Sequence, residues 1–404
     1  MLYFAAPVNA AADAFTFGEE NSYVGYARLP LLFAIAALYL PHLKIDLLNT
    51  LIAVFLVYLL ILVNFSSNPV GSFATYCKVS LCMLMFPIAR HIIVNETELS
   101  KLRWSILCAF GICICNFVAS QVFQMGVQSY GDSAFYTAGG GVYLAYELSY
   151  GLMLAPMMLV YIHRLDLKLL LAAVYAVGAI VIVFIFRRGA IAATFGGYAT
   201  MLVLSRPKQT APILATIAAS LVALAAIAPI YGDQLTSLYE KRIVRGVQVE
   251  KTGSRSLETE TVWREAFSTS LTRTLFGTEL FNSHEYFHWW RNGAGRGLHI
   301  DMNILLHGAG IVGLLHYLLI QACVFAHFAF GRAVAAPADH LRLCRTTGLA
   351  IFVAGFVLSL STQLWAVTPF STLWTCLGGL YAMTSDLAHS AYRFRAPAIG
   401  WAHS

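Results

Sequence analysis

The sequence predicts an all-α polytopic integral membrane protein, and three observations carry that expectation. Of its 404 residues, 59% are hydrophobic and only 11% are charged, with a mean hydropathy of +0.69, far from the balance of a soluble globular domain. Apolar runs recur at close to the ~20 residues that a helix needs to cross a bilayer. The Lys and Arg residues between those runs fall on alternate connections, the pattern that marks cytoplasmic loops.

In chain order the runs lie at about 28–41, 46–64, 73–94, 103–124, 142–162, 168–186, 188–204, 211–230, 302–330, 346–367 and 370–388. With a weaker candidate at 2–16, which lacks the basic start and continuous apolar core of a signal peptide, they predict about 11–12 transmembrane helices. His42 and Lys44, Arg90 with Lys101 and Arg103, Arg164 with Lys168, Arg206 with Lys208, Arg332 with Arg342 and Arg345, and the tail Arg393 and Arg395 share one side when the spans alternate. That side is expected to be cytoplasmic. The connections at 66–71, 124–141 and 363–369 carry no Lys or Arg and belong to the other side.

The chain therefore divides into N-terminal spans at 1–230, a large outer loop at 231–301 and C-terminal spans with a tail at 302–404. The polar block from Tyr231 to Leu298 holds nine Lys/Arg against eight Asp/Glu. It is not a polybasic lipid-binding arm, and no nucleic-acid partner is expected. Within it, Trp263, Phe267 and Leu271 recur every four residues after Glu258, which predicts an amphipathic helix on the membrane face, with Leu275-Phe-Gly277 as its cap. Tyr286, Phe287, Trp289 and Trp290 follow beside His284 and His288, a density that suits an interfacial belt or a platform for sugar rings.

Several function classes are excluded or unsupported. Seven of the eight cysteines lie in apolar spans and Cys344 in an expected cytoplasmic loop, so no disulfide framework is expected. Cys113 and Cys115 point in different directions on a helix and read as small buried hydrophobes. No phosphate-binding G-x-x-x-x-G-K-[ST] loop, H-E-x-x-H zinc helix or G-x-S-x-G elbow occurs. No metal and no cofactor is expected.

Candidate site residues gather at the outer side. Arg187-Arg188 interrupt two spans where the positive-inside rule does not place them. Guanidinium is costly in hydrocarbon and its planar fork suits phosphate, so both face a ligand cavity or snorkel to headgroups. Arg255 and Arg264 lie at the start of and within the amphipathic helix, as phosphate ligands or as solvated surface charges. His299 stands at the return into the membrane beside Asp301 and Asn303. A histidine there is suited to take a proton from an attacking hydroxyl, with Asp301 either raising its basicity or serving the helix dipole. Lys78 and Glu147 are intramembrane charges and candidates by default, lining a cavity or bridging each other.

Arg188-Gly-Ala after a span, an outer block with Arg followed by Trp and a Leu-Phe-Gly turn, and His299 eleven residues before Gly310-Ile-Val-Gly313 together resemble the O-antigen ligase and Wzy-type polysaccharide polymerase superfamily. The sequence departs from that family's patterns where Arg187 replaces a serine, Ile300 replaces an asparagine, and Arg255 lies eight rather than four residues before Trp263. The second phosphate-binding arginine is thus open between Arg255 and Arg264. The resemblance implies a GT-C-like, metal-independent inverting glycosyltransferase in the bacterial inner membrane with its site facing the periplasm. Its implied partners are an undecaprenyl-diphosphate-linked oligosaccharide donor and a glycan or lipid A-core acceptor, with chain-length regulator or flippase proteins nearby. His299, Arg188 and Arg255 would be catalytic, with Arg187, Arg264, Asp301, Lys78 and Glu147 binding substrate. Polymerisation is the favoured activity because of the Ile300-Asp301 variant, and ligation is the alternative. A transporter or flippase of polyprenyl-linked glycan is the different-class alternative, although the chain lacks the two related halves such proteins often show.

Overall fold

The computed structural model describes residues 1–14, 23–124, 127–128, 136–137, 141–185, 187–205, 207–240, 255–281, 298–331, 338–360 and 367–385. Fourteen α-helices occur among them: α1 Leu2–Ala14, α2 Tyr23–Tyr39, α3 Leu47–Val63, α4 Pro69–Ile92, α5 Glu96–Phe123, α6 Gly141–Tyr161, α7 Leu165–Ile185, α8 Arg188–Leu204, α9 Pro207–Tyr239, α10 Arg255–Ser268, α11 Leu271–Phe276, α12 Asp301–Phe330, α13 Ala338–Ser359 and α14 Val367–Thr384. Two strands of two residues each, Val127–Gln128 and Tyr136–Thr137, pair antiparallel. The protein is thus helical and multi-pass, as expected.

Each expected apolar run overlaps a helix among the described residues, although not every one of these helices is both long and apolar. Among the described residues, six helices are both long and apolar enough to cross a membrane: α4, α5, most of α6, α7, α12 and most of α13. Shorter apolar helices lie at Leu2–Ala12, Arg28–His42, Leu47–Val63 and Thr210–Ala226. The reason is visible in α14, where Thr368, Ser371, Thr372 and Thr375 are all buried inside the bundle. A helix walled in by other helices need not match lipid, so its polarity and length are set by its neighbours.

The charged connections do converge. The Asp46 carboxylate caps the start of α3 by accepting from the Asn49 backbone N–H and pairs with Arg90 at the end of α4. At the start of α5, Glu96 pairs with Arg103 and lies 3.1 Å from His340 of α13, whose other ring nitrogen meets the Tyr161 hydroxyl at the end of α6. Arg342 donates to the Leu204 carbonyl at the end of α8, and Arg345 to the Phe328 carbonyl near the end of α12. These residues close helix C-termini, where cations are favourable. They also explain why α13 starts eight residues before its expected window: its arginines count against a span by composition, yet they continue the helix. We call this the basic end.

Two boundaries shift at the opposite end. The helix α9 runs through Tyr231 to Tyr239, so the first nine residues of the polar block extend a span. The long helix α12 is broken at Gly310, whose φ of +65° and ψ of −169° lie outside the helical region. Of its thirty residues, the twenty from Ile311 to Phe330 follow the break, about the length that crosses a bilayer. The segment Asp301–Ala309 belongs with the polar block instead.

Sequence chemistry makes that break. A side chain at Gly310 would sit 2.4 Å from the carbonyl carbon and oxygen of Leu275, and one at Gly277, itself at φ +79°, would sit 2.5 Å from the Gly308 carbonyl carbon. Only glycine adopts these backbone angles readily while allowing backbone to touch backbone. The end of α11 therefore docks directly on the bend of α12, joined by the Thr278 N–H donating to the His307 carbonyl at 2.8 Å. Tyr58 of α3 donates its hydroxyl to the Ala309 carbonyl at 2.6 Å, beside the break.

Candidate functional site

Two carboxylates from the polar block fasten it to the bundle. Glu258, in the first turn of α10, is 1% exposed. Its Oε1 accepts from the backbone N–H of His299 at 2.9 Å, the backbone N–H of Ile300 at 3.2 Å and the Asn303 side-chain amide at 3.2 Å. Asn303 also donates to the Thr259 hydroxyl at 3.1 Å. Further along, Glu279 Oε2 accepts from the Ser66 hydroxyl and from the backbone N–H and hydroxyl of Ser67, in the turn between α3 and α4.

The first of these clamps has a local cause. Ile300 occupies the N-cap position of α12 and offers no side-chain cap, although the first turn of any helix leaves backbone donors without intrahelical partners. Glu258 supplies from a different helix the negative oxygen that a capping residue would give, next to the positive end of the helix dipole. The same carboxylate faces the His299 ring, with Nδ1 3.8 Å from Oε2. That separation exceeds hydrogen-bond reach, so the carboxylate acts on the ring as a fixed charge. The His299 side chain is 40% exposed. A part-exposed imidazole with a buried carboxylate beside it is an arrangement that suits a general base.

Of the two roles open to Asp301, its burial suits the one at the helix terminus. The carboxylate described beside the His299 ring is Glu258, whereas Asp301 is fully buried at the first helical position of α12, suited to the helix dipole. Glu258 was missed as a site residue because 41 residues separate it from His299. Its signal was present all the same, as an acidic residue at the start of the predicted amphipathic helix on the side away from Trp263 and Phe267.

That helix is shorter than expected and ends at Ser268, so Leu271 belongs to α11. It buries Glu258, Thr261 and Val262 against α12 and leaves Trp263 and Phe267 exposed, an apolar outer face that fits a membrane surface. Arg264 is exposed too. Six residues on from Glu258, it is turned roughly 240° around the helix, away from His299. Arg255 is the first residue of α10, and its side chain lies outside the described residues. So do His284, Tyr286, Phe287, His288, Trp289 and Trp290.

Two turns beyond Glu258 the block and the bundle enclose a polar cavity of about 260 Å³, lined by Ser67, Glu265, Thr269, Arg273, Glu279 and His307 among others. It offers carboxylate, guanidinium, imidazole and hydroxyl groups, a set able to hold sugar hydroxyls.

The remaining candidates sit on other helices at the same end. Arg187 is the N-cap residue of α8 and Arg188 its first residue, half-buried and exposed respectively. The first turns of α8 are tied to α6, where the Ser149 hydroxyl donates to the Ala190 carbonyl at 3.3 Å and accepts from Thr194 at 3.0 Å. Two residues before Ser149 on α6, the buried Glu147 accepts from the Thr372 hydroxyl of α14 at 2.8 Å. Lys78 is half-buried on α4 and makes no ion pair among the described residues, so of the two arrangements open to Lys78 and Glu147 the mutual bridge is not the one formed. Glu147 thus ties α6 to α14, while Ser149 ties α6 to the first turns of α8. The described contacts bring His299, Glu258, Asn303 and Asp301 together and leave Arg188 on a neighbouring part of the same end.

No group of three or more His, Cys, Asp or Glu residues able to hold a metal occurs among the described residues. No family model matches the chain, and no curated protein matches it significantly.

Proposed function

We propose that this protein is a glycosyltransferase of the bacterial inner membrane that works on undecaprenyl-diphosphate-linked glycans at the periplasmic face. In this reading it joins O-antigen or exopolysaccharide repeat units by metal-independent inverting transfer. The observation that carries the proposal is the His299 imidazole, exposed on one side and backed by the buried Glu258 carboxylate at the end of the bundle opposite the basic connections. That placement fits a general base outside the cytoplasm.

The chemistry needs no external energy source. The acceptor hydroxyl gives its proton to His299 as its oxygen attacks the anomeric carbon. The bond from that carbon to the diphosphate oxygen breaks, and the carrier diphosphate leaves with the electron pair. Arg188 and Arg255 neutralise the charge that grows on the leaving group, which lowers the barrier because the charge is larger in the transition state than in the bound donor. The polar cavity around Glu265, Arg273 and His307 offers room for the acceptor sugar, and holding both substrates together contributes much of the acceleration.

The test is transfer by purified protein in detergent, supplied with a carrier-linked repeat unit. Wild type is expected to make longer carrier-linked chains, whereas His299→Ala and Arg188→Ala each lower the rate by at least ~100-fold. Intact transfer in both variants refutes the reading. Product only when lipid A core is added identifies a ligase, and no product in the absence of sealed compartments favours a transporter.

A further inference from the structure

We infer that the basic end carries a binding site for one anionic phospholipid, with the headgroup phosphate at Lys44, Arg90 and His91 and an acyl chain in the groove between α3 and α12. This site is at the opposite end from His299 and does not depend on the proposed activity.

Two adjoining cavities make the case. The first, about 100 Å³, is lined by Lys44, Asp46, Asn49, Arg90, His91 and Ser385 among others. The second, about 430 Å³, is lined by Leu47, Leu48, Cys323, Ala326, His327 and Tyr381 together with the same Asp46 and Arg90. One opening is polar and basic and the next is mainly apolar, and the Arg90–Asp46 ion pair forms the wall between them. A diacyl phospholipid has that same sequence of chemistry within one molecule.

The charges favour an anion. Asp46 is engaged by Arg90 and by the start of α3, while the Lys44 ammonium has no acidic partner among the described residues. The His91 ring stacks against His42 at 6.4 Å between centroids, which places two imidazoles with hydrogen-bonding nitrogens near Lys44. A cation in surplus at a helix-lined pocket on this side of a membrane suits a phosphate headgroup.

The surroundings favour a lipid over free phosphate. Ile45 is 95% exposed and Leu47 72% exposed on either side of Asp46, and Leu40 is also exposed. Large apolar side chains bare beside a cationic pocket suit a ligand that carries acyl chains next to its phosphate.

Native mass spectrometry of the full-length protein tests this, with phosphatidylglycerol and phosphatidylcholine of matched chains offered in turn. Phosphatidylglycerol is expected to be retained preferentially, and Lys44→Ala should lower its retention about fivefold. Ala326→Trp, at an exposed position that fills the apolar groove without altering charge, should lower it as well. Lys101→Ala is the control, since that exposed cation at the same end is held by Glu98 and lies outside the pocket. A thermal melt verifies that each variant is folded. Equal retention of the two lipids, or unchanged retention in folded Lys44→Ala, overturns the inference. Displacement of the lipid by millimolar glycerol phosphate, with Ala326→Trp silent, identifies a free-phosphate site and overturns it too.

Discussion

Replacing Glu258 by alanine should release the turn that carries His299 while leaving the bundle intact. One carboxylate oxygen receives three donors, from His299, Ile300 and Asn303, and Glu258 itself is 1% exposed. Leaving a buried donor without an acceptor costs about 1–3 kcal/mol. Even at the low end, three donors amount to roughly 3 kcal/mol, which is more than a hundredfold in a local opening equilibrium at 1.4 kcal/mol per tenfold. Amide hydrogen exchange reads this directly, because two of the donors are backbone N–H groups. In Glu258→Ala the His299 and Ile300 amides should exchange about a hundredfold faster, while those of Phe370 to Cys376 in α14 stay as in wild type. Glu258→Gln retains an acceptor oxygen without its charge, and charged hydrogen bonds are roughly twice as strong as neutral ones. That variant should accelerate exchange only about tenfold. Wild-type exchange at His299 and Ile300 in folded Glu258→Ala would refute the clamp, and uniform acceleration through α14 would show that Glu258 supports the whole bundle instead.

Other perturbations probe the rest of the frame. Gly310→Ala places an L side chain at a left-handed angle, costing roughly 1–2 kcal/mol, and against the Leu275 carbonyl at 2.4 Å. A total loss on the order of 3 kcal/mol in chemical denaturation is expected, and an unchanged midpoint would contradict the broken helix. Thr372→Val removes the hydroxyl that Glu147 accepts and should destabilise by about 1–3 kcal/mol, whereas Thr372→Ser should restore most of it. Failure of the serine variant to differ from valine argues against the hydrogen bond. Glu279→Ala unties the block from the Ser66-Ser67 turn and should cost about 1 kcal/mol, seen as faster exchange at the Ser67 amide with His299 unaffected.

The legibility of the site varied from residue to residue. His299 and its spacing to Gly310 stood out in the sequence, and the structure supplies the reason. Nine helical residues separate the turn at Ile300 from the glycine that breaks α12, so the spacing measures how far His299 stands from the bend. Ile300 looked like a defect, an apolar residue at a position that should cap a helix. It is tolerated because Glu258 reaches the same turn from another helix. Asp301 lies only two residues from the histidine in sequence, but His299 precedes the helix and Asp301 is buried in its first turn. Arg264 and Arg255 were indistinguishable by composition, and only the docking face of α10 turned Arg264 away.

The sequence by itself determined where helices form, which connections are basic and that these connections share one end. Hydropathy, charge and capping residues act over a few neighbouring positions, so their sum along the chain is already the answer. The tertiary structure decided which polar groups meet: Glu258 with His299, Glu279 with Ser66 and Ser67, Glu147 with Thr372. It also decided that α14 can be short and rich in threonine, because protein rather than lipid surrounds it. These outcomes depend on how helices distant in sequence dock. That docking is set by close backbone contacts such as Gly277 on Gly308, which no local stretch of sequence contains.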